Sequence, residues 1–203
     1  MILIAGGGVE IGSEEGGENE KPVFKTYINP FYLDEDLIKV SEFRLFIKIT
    51  RYITDAQKKG QAQVTDSLGQ KKMVAGAYWA YPKGPTRRKA KDEDPVTQIS
   101  WNDAQAYARW LGKRLPSEFE IEYVAKNNTN PEVKNLKEDF WQWSFNWYTD
   151  YNQSTYYDLK LNRKKSLKGG KTDDGSFRPS ARLSLSPDES TDKTSFRCAK
   201  DIR

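Results

Sequence analysis

Most enzymatic chemistry turns on cysteine and histidine, and this sequence has one cysteine, Cys198, and no histidine. The missing imidazole excludes His-ligated zinc, iron and copper sites, Ser-His-Asp and Cys-His nucleophile pairs, and imidazole acid/base catalysis. A lone cysteine excludes an intrachain disulfide, a Cys-x-x-Cys redox pair and any multi-thiolate metal site. Carboxylates, cations and aromatic rings remain. Asp173 and Asp174 lie in a Gly-flanked loop and could ligate a hard cation through oxygen, although adjacent carboxylates more often mark a solvated turn. Lys83, Arg87, Arg88, Lys89 and Lys91 form one basic run, and Arg163, Lys164, Lys165, Lys168 and Lys171 a second. Sharing a face they would grip phosphate or an acidic glycan; apart, they are solvated loops. Tyr78, Trp79 and Tyr81 could line a groove for a peptide or a sugar, because aromatic rings bind at low entropic cost.

The elements that must position these residues are short. The 203 residues suffice for one domain with a substantial core, so residues 1–203 are expected to form a single unit. Only 36% of the residues are hydrophobic, but 6 Trp, 11 Tyr and 9 Phe supply large areas to bury. Lys+Arg 33 against Asp+Glu 29 leaves a net charge of +4, too small to favour a nucleic-acid surface. No apolar run approaches the ~20 residues of a bilayer span, and the opening Met1 to Ala5 is too short for a signal-peptide core, so the chain reads as soluble.

Met1 to Ile4 and Val9 to Ile11 flank a glycine run and predict a short hairpin, and Val23 to Leu33 predicts a strand broken by Pro30. Phe43, Phe46, Ile47 and Ile49 recur near helical spacing behind a Ser41 cap, which predicts a helix to about Thr50. Asp55 to Asp94 reads as mostly loop. Ser100 with Asp103, and Ser117 with Glu120, are capping boxes for two helices in tandem. The first carries Ala104, Tyr107, Ala108 and Leu111 on one face and stops at Gly112; the second runs to about Ala125. Lys113 and Arg114 are expected to anchor the start of that second helix against carboxylates such as Glu118 or Glu122. The aromatic alternation from Phe140 to Tyr148 suits a strand or packed loop. Further short strands are expected at Ser166 to Lys168, Ala181 to Leu185 and Ser195 to Ala199. Trp101, Trp110, Trp141, Trp143 and Trp147 are expected in the core. The class is α+β with little regular structure.

Several of these segments together resemble the sulfatase-modifying-factor family, which includes formylglycine-generating enzymes and has a variant of the C-type lectin fold. The resemblance covers nearly the whole chain. Its densest part is Ser100-Trp101-Asn102-Asp103-Ala104 followed by Tyr107, Trp110, Gly112 to Glu118 and Glu122-Tyr123. Trp141-Gln142-Trp143-Ser144 is similar to the family's Trp-Glu-Trp motif, and Ser195 to Ala199 to its closing Gly-Phe-Arg-Cys-Ala.

The departures bear on function. The resemblance implies a cysteine pair, with copper, in the loop after a Gly-Gly turn. Here that loop runs from Gly169 to Arg182, is shortened, and holds no cysteine. Lys, Thr and Ser cannot replace thiolate as the soft ligand that copper(I) selects. Cys198 matches a structural cysteine whose disulfide partner is replaced by Ala108, which implies a free, buried thiol. The interval 126–139 is too short for the family's calcium-binding loops, so no such site and no cofactor are expected. Gly76 to Pro85 resembles an active-site loop in which Tyr78, Ala80 and Tyr81 replace Asn, Arg and His, and the absence of histidine excludes the family's iron-dependent sulfoxide synthases.

The expected function is a non-catalytic binding or assembly module for a protein, peptide or glycan, through Tyr78, Trp79, Tyr81, Lys83, Arg87, Arg88, Arg178 and Arg182. The alternative is an enzyme of different mechanism, using Asp173, Asp174, Arg178 and Arg182 around a hard metal or external cofactor; formylglycine generation itself is the least expected. Cysteine-lacking relatives occur in gliding-motility lipoproteins, beside protein kinases and as variable lectin-like binders. Met1 coincides with the family's usual domain start, so a longer parent with an upstream signal, lipid anchor or kinase, and a place outside the cytoplasm, are compatible with the resemblance.

Overall fold

A computed structural model describes residues 1–127, 133, 134, 136, 139–151, 163–172 and 174–202. Two ladders are built at the N-terminus. β1 (Ile2–Ile4) runs antiparallel to β4 (Phe31–Leu33), whose other edge takes the closing strand β11 (Ala199–Asp201). β2 (Gly7–Ile11) pairs with β3 (Phe24–Ile28). The expected β1–β2 hairpin is therefore not formed, and the glycine run is a crossover between ladders. Gly6, at φ +71°, passes so close to β3 that a Cβ there would lie 2.2 Å from the Ile28 carbonyl oxygen. Pro30, which lacks an N–H, separates β3 from β4 as predicted.

Helix α1 (Val40–Thr50) begins one residue before the expected cap, with the Lys39 N–H donating to Glu42 Oε2 at 2.8 Å. Phe43 and Phe46 are buried, but Ile49 lies on the solvent side. The polar stretch after it holds more structure than its composition suggests. Thr54 caps α2 (Asp55–Lys59), Gly60 ends it at φ +68°, and β5 (Gln61–Thr65) and β6 (Lys71–Ala75) form a hairpin. Asp66 Oδ1 closes the turn by accepting from the N–H groups of Leu68 (2.9 Å) and Gln70 (3.0 Å).

Both predicted capping boxes are present. The Ser100 hydroxyl accepts from the Asp103 N–H at 3.1 Å ahead of α3 (Trp101–Trp110), and the Ser117 hydroxyl from the Glu120 N–H at 3.1 Å ahead of α4 (Glu118–Asn127). Leu111 falls beyond the last turn of α3 and is exposed, so it leaves the face formed by Ala104, Tyr107 and Ala108. Arg114 does not meet Glu118 or Glu122; it forks onto Glu120 at 2.7 Å and Asp201 at 2.6 Å, while Lys113 pairs with Asp34 at 2.7 Å.

The C-terminal third forms a four-stranded sheet in the order β10, β7, β8, β9, from β7 (Trp141–Trp147), β8 (Lys165–Lys168), β9 (Leu183–Leu185) and β10 (Thr194–Ser195). β10 is parallel to β7, and the other pairs are antiparallel. A bulge between Trp143 and Trp147 shifts the register. Trp143 and Trp141 are buried in the core and Trp101 and Trp110 partly so, whereas Trp147 is 40% exposed, contrary to expectation. Cys198 is fully buried beside Phe43, Tyr107 and Phe196.

Candidate functional site

The loop from Gly169 to Arg182 is held from beneath by charges on α4. Glu118 and Glu122 are one helical turn apart and both are buried. Lys168 Nζ donates to Glu122 Oε2 at 2.6 Å and to the Ser180 carbonyl at 2.9 Å, with both side chains of the ion pair 0% exposed. Arg182 Nε donates to Glu118 Oε2 at 3.0 Å, while its guanidinium lies 4.0 Å from the Tyr151 ring centre and 4.6 Å from that of Tyr148. Burial pushes the Lys168 amine below its ordinary range, against the opposing pull of Glu122. Arg178 reaches back to Glu20 Oε1 at 2.9 Å. Burial works against charge on Glu20, but hydrogen bonds from Arg178, Ser180 and the Gly17 N–H outweigh it and hold the carboxyl low.

Beside it lies a cleft of about 370 Å³ between the β5–β6 hairpin and the four-stranded sheet, all four strands of which contribute to its lining. Trp141, Leu167, Leu183 and Leu185 supply apolar walls, with Lys71, Lys171, Lys193 and Asp139 among the remaining lining residues. Lys171 Nζ lies 2.9 Å from Asp139 Oδ1, and this hydrogen bond keeps the Asp139 carboxyl below its usual range. Glycine is required where the loop starts: a Cβ on Gly170 would fall 2.6 Å from the Trp141 indole, and one on Gly169, at φ +83°, 2.9 Å from Gln142 Nε2. The loop then closes on itself. The Thr172 N–H donates to the Ser176 carbonyl at 2.9 Å, and Asp174 Oδ1 accepts from the Ser176 N–H (2.9 Å) and hydroxyl (2.7 Å). Hydrogen bonds from Thr172 and Ser176 hold the Asp174 carboxyl far below its ordinary range.

These residues do not fit copper. Among the described residues of the loop the polar side chains are hydroxyls, one carboxylate, one amine and two guanidinium groups. The lone thiol, Cys198, lies in the core, where burial pushes it well above the usual thiol range and away from thiolate. Asp173 lies outside the described residues, and among those described no group of three His, Cys, Asp or Glu side chains could hold a metal ion.

None of the eight residues singled out for binding lines the cleft. Trp79 is 7% exposed and its ring stands edge-on to Phe43 at 5.8 Å, so it is a core residue. Arg182 is likewise consumed by Glu118. Tyr78 and Tyr81 face each other at 5.7 Å and remain half-buried. Lys83 lies 3.5 Å from Asp192, Arg88 lies 3.7 Å from Asp94, and Arg87 is exposed. The second basic run is not one surface, because Lys168 and Lys165 are turned inward. Lys165 Nζ lies 4.0 Å from the Trp101 ring and 3.8 Å from the Trp147 ring, and donates to the Phe145 carbonyl at 3.0 Å.

Lys71 and Lys193, which reasoning from the sequence missed, both line the cleft because the segments that carry them are stitched together. Asp192 Oδ1 accepts from the Thr65 N–H at 2.9 Å, and Gln63 bridges to Thr191. Gln98 Nε2 donates to the carbonyls of Gln63 and Pro82, both at 2.9 Å, which ties the Tyr78–Lys83 loop to the same wall. No local pattern announces such a junction.

Short antiparallel strands, few helices and long ordered loops define a formylglycine-generating-enzyme-type, C-type lectin-like fold. PvdO from Pseudomonas aeruginosa superimposes with a TM-score of 0.72 at 18% identity, covering 99% of this chain and 94% of that one. Treponema denticola variable protein 1 follows at 0.65 and 14%, covering 98% and 94%. Residues 1–135 match the sulfatase-modifying factor enzyme 1-like domain, and the chain belongs to that family. Its relatives include a formylglycine-generating enzyme of Streptomyces coelicolor, 27% identical over 99% of this chain and 89% of its own length. An inactive C-alpha-formylglycine-generating enzyme 2 of Bos taurus is 28% identical over 98% and 87%. The Streptomyces match spans 279 positions against 203 residues here, so that relative carries segments this chain lacks.

Proposed function

We propose that residues 1–203 form one non-catalytic domain that binds a protein, peptide or glycan through the cleft beside β9. The observation that carries this reading is the loop after Gly170. Where the resemblance places a cysteine pair, the chain closes a hydrogen-bonded turn between Thr172 and Ser176, yet the cleft beside it stays open and lined by Trp141, Leu167 and Leu185. The existence of relatives named inactive supports the same reading. Tyr78, Tyr81, Lys83, Arg87, Arg88 and Arg178 are flanking contacts in this proposal, with Lys83 linked to the cleft wall through Asp192. Among the described residues no helix is long and apolar enough to cross a membrane.

Affinity capture from an extract of the source cells tests it. Leu183→Trp, which narrows the cleft from its exposed wall, is expected to lose the bound partner, and Arg87→Glu/Arg88→Glu to weaken it. Recovery of the same partner by Leu183→Trp overturns the assignment of the site.

A further inference from the structure

Helix α1 carries apolar side chains on both of its sides. Phe43 and Phe46 pack into the core, yet on the opposite side Leu45 is 51% and Ile49 59% exposed, and these two stand one turn apart on the same face. A helix at a protein surface ordinarily turns polar and charged residues outward, so an aliphatic outer face calls for something to cover it. The turn after the helix continues the pattern. Arg51 ends α1 in the left-handed region at φ 59°, Tyr52 folds onto Phe46 with ring centres 5.4 Å apart, and Ile53, the next residue, is 57% exposed.

The charges of this stretch have one sign. From Phe43 to Thr54 the chain carries Arg44, Lys48 and Arg51 and no Asp or Glu. Lys48 is adjacent to Ile49 and one turn from Leu45, and all three are exposed, so cation and aliphatic side chains share the outer face. Arg44 is paired with Asp92, but neither Lys48 nor Arg51 forms an ion pair among the described residues. Glu42, the only acidic residue of α1, lies a turn before Leu45 and is turned back to accept from the Lys39 N–H at 2.8 Å. Uncommitted cations thus flank protruding Leu and Ile side chains.

We infer that this patch docks the domain on an anionic lipid surface, with Leu45, Ile49 and Ile53 entering the boundary between headgroups and acyl chains and Lys48 and Arg51 beside the lipid phosphates. Insertion of aliphatic side chains together with attraction of cations is the combination that holds amphipathic segments in the plane of a bilayer. The patch is the outer face of a helix and its closing turn, so its side chains protrude. A fluid interface accepts protruding side chains without a shaped complement, whereas a protein partner must supply a matching groove. The patch shares no lining residue with the cleft, so lipid docking is independent of the binding function proposed above.

The test is co-sedimentation of the full chain with vesicles of phosphatidylcholine, alone or mixed with phosphatidylglycerol. The mixed vesicles are expected to bind about tenfold more tightly, a preference that shrinks as salt is raised. Lys48→Glu/Arg51→Glu is expected to weaken that binding by at least about tenfold, and Leu45→Ser/Ile49→Ser by about tenfold. Lys89→Glu/Lys91→Glu makes the same change of charge at two exposed lysines elsewhere and is expected to bind as the wild type does. All of these positions are exposed, so each variant is expected to keep the circular dichroism of the wild type. No binding to either vesicle, equal losses from the two charge reversals, or undiminished binding by Leu45→Ser/Ile49→Ser each overturns lipid docking. Loss of a captured protein by Leu45→Ser/Ile49→Ser, with no vesicle binding by the wild type, likewise overturns it and gives the patch to a protein partner.

Discussion

Lys168→Met removes the cation that neutralises Glu122 in a space closed to water. Both side chains are 0% exposed, the ammonium lies 2.6 Å from Oε2, and the same ammonium caps the Ser180 carbonyl. Breaking a buried pair by deleting one partner costs about 3–5 kcal/mol, because the charge left behind is uncompensated. Two contacts stay with Glu122, the Gly12 N–H at 2.7 Å and Lys126 at 2.9 Å, and Lys126 is partly open to solvent. They place the loss near the lower end, about 3 kcal/mol. At about 2–4 °C per kcal/mol for a chain of this size, Tm falls by about 6–12 °C. Urea unfolding and thermal scans of wild type, Lys168→Met and Lys168→Met/Glu122→Leu measure it. The double variant should recover part of the loss, since no buried charge remains uncompensated and Lys126 can turn to solvent, while the Gly12 N–H loses its acceptor. A single variant as stable as wild type, or a double variant worse than the single, would refute the view that this pair anchors the Gly169–Arg182 loop to α4.

Burial lowers Lys165 from 10.5 to about 8, so between those values the unfolded chain holds more protons than the folded one. Stability of wild type relative to Lys165→Met is therefore expected to rise from about pH 8 to about pH 10.5, followed by urea unfolding; a flat difference contradicts it. Gly170→Ala puts a Cβ 2.6 Å from the Trp141 ring and should cost about 1–3 kcal/mol. Gly8→Ala, whose Cβ meets nothing within 4 Å, should change stability by less than about 0.5 kcal/mol in the same chemical denaturation. Ser100→Ala removes the α3 cap and a 2.8 Å hydrogen bond to the buried Asp55 carboxylate, a loss of about 1–3 kcal/mol readable from the thermal midpoint.

The two tandem helices and the broken strand at Pro30 were legible because caps and proline act locally, while the aromatic alternation through Trp143 left strand and packed loop both open. The hairpin of β5 and β6 was not: its buried positions are Ala62 and Val64, too small a signal within a polar run. The Gly6–Gly8 run misled for the opposite reason, since glycine permits both a tight turn and the close crossing that occurs. At the site, the sequence placed the altered loop and the buried thiol. It could not bring Lys71 and Lys193 to one cleft, which depends on the long-range clamps of Asp192 and Gln98. Nor could it show that Trp79 and Arg182 face inward, because exposure depends on which neighbours the fold supplies.

A loop without thiolate lacks the soft ligand that copper(I) selects, and the proposed non-catalytic role rests on that substitution. The most direct measurement is mass spectrometry of a Cys-x-Pro-x-Arg peptide incubated with the protein, copper and oxygen, beside an active formylglycine-generating enzyme. The thiol peptide should return unchanged from this protein while the enzyme converts it; an aldehyde formed by this chain would contradict the non-catalytic role proposed above.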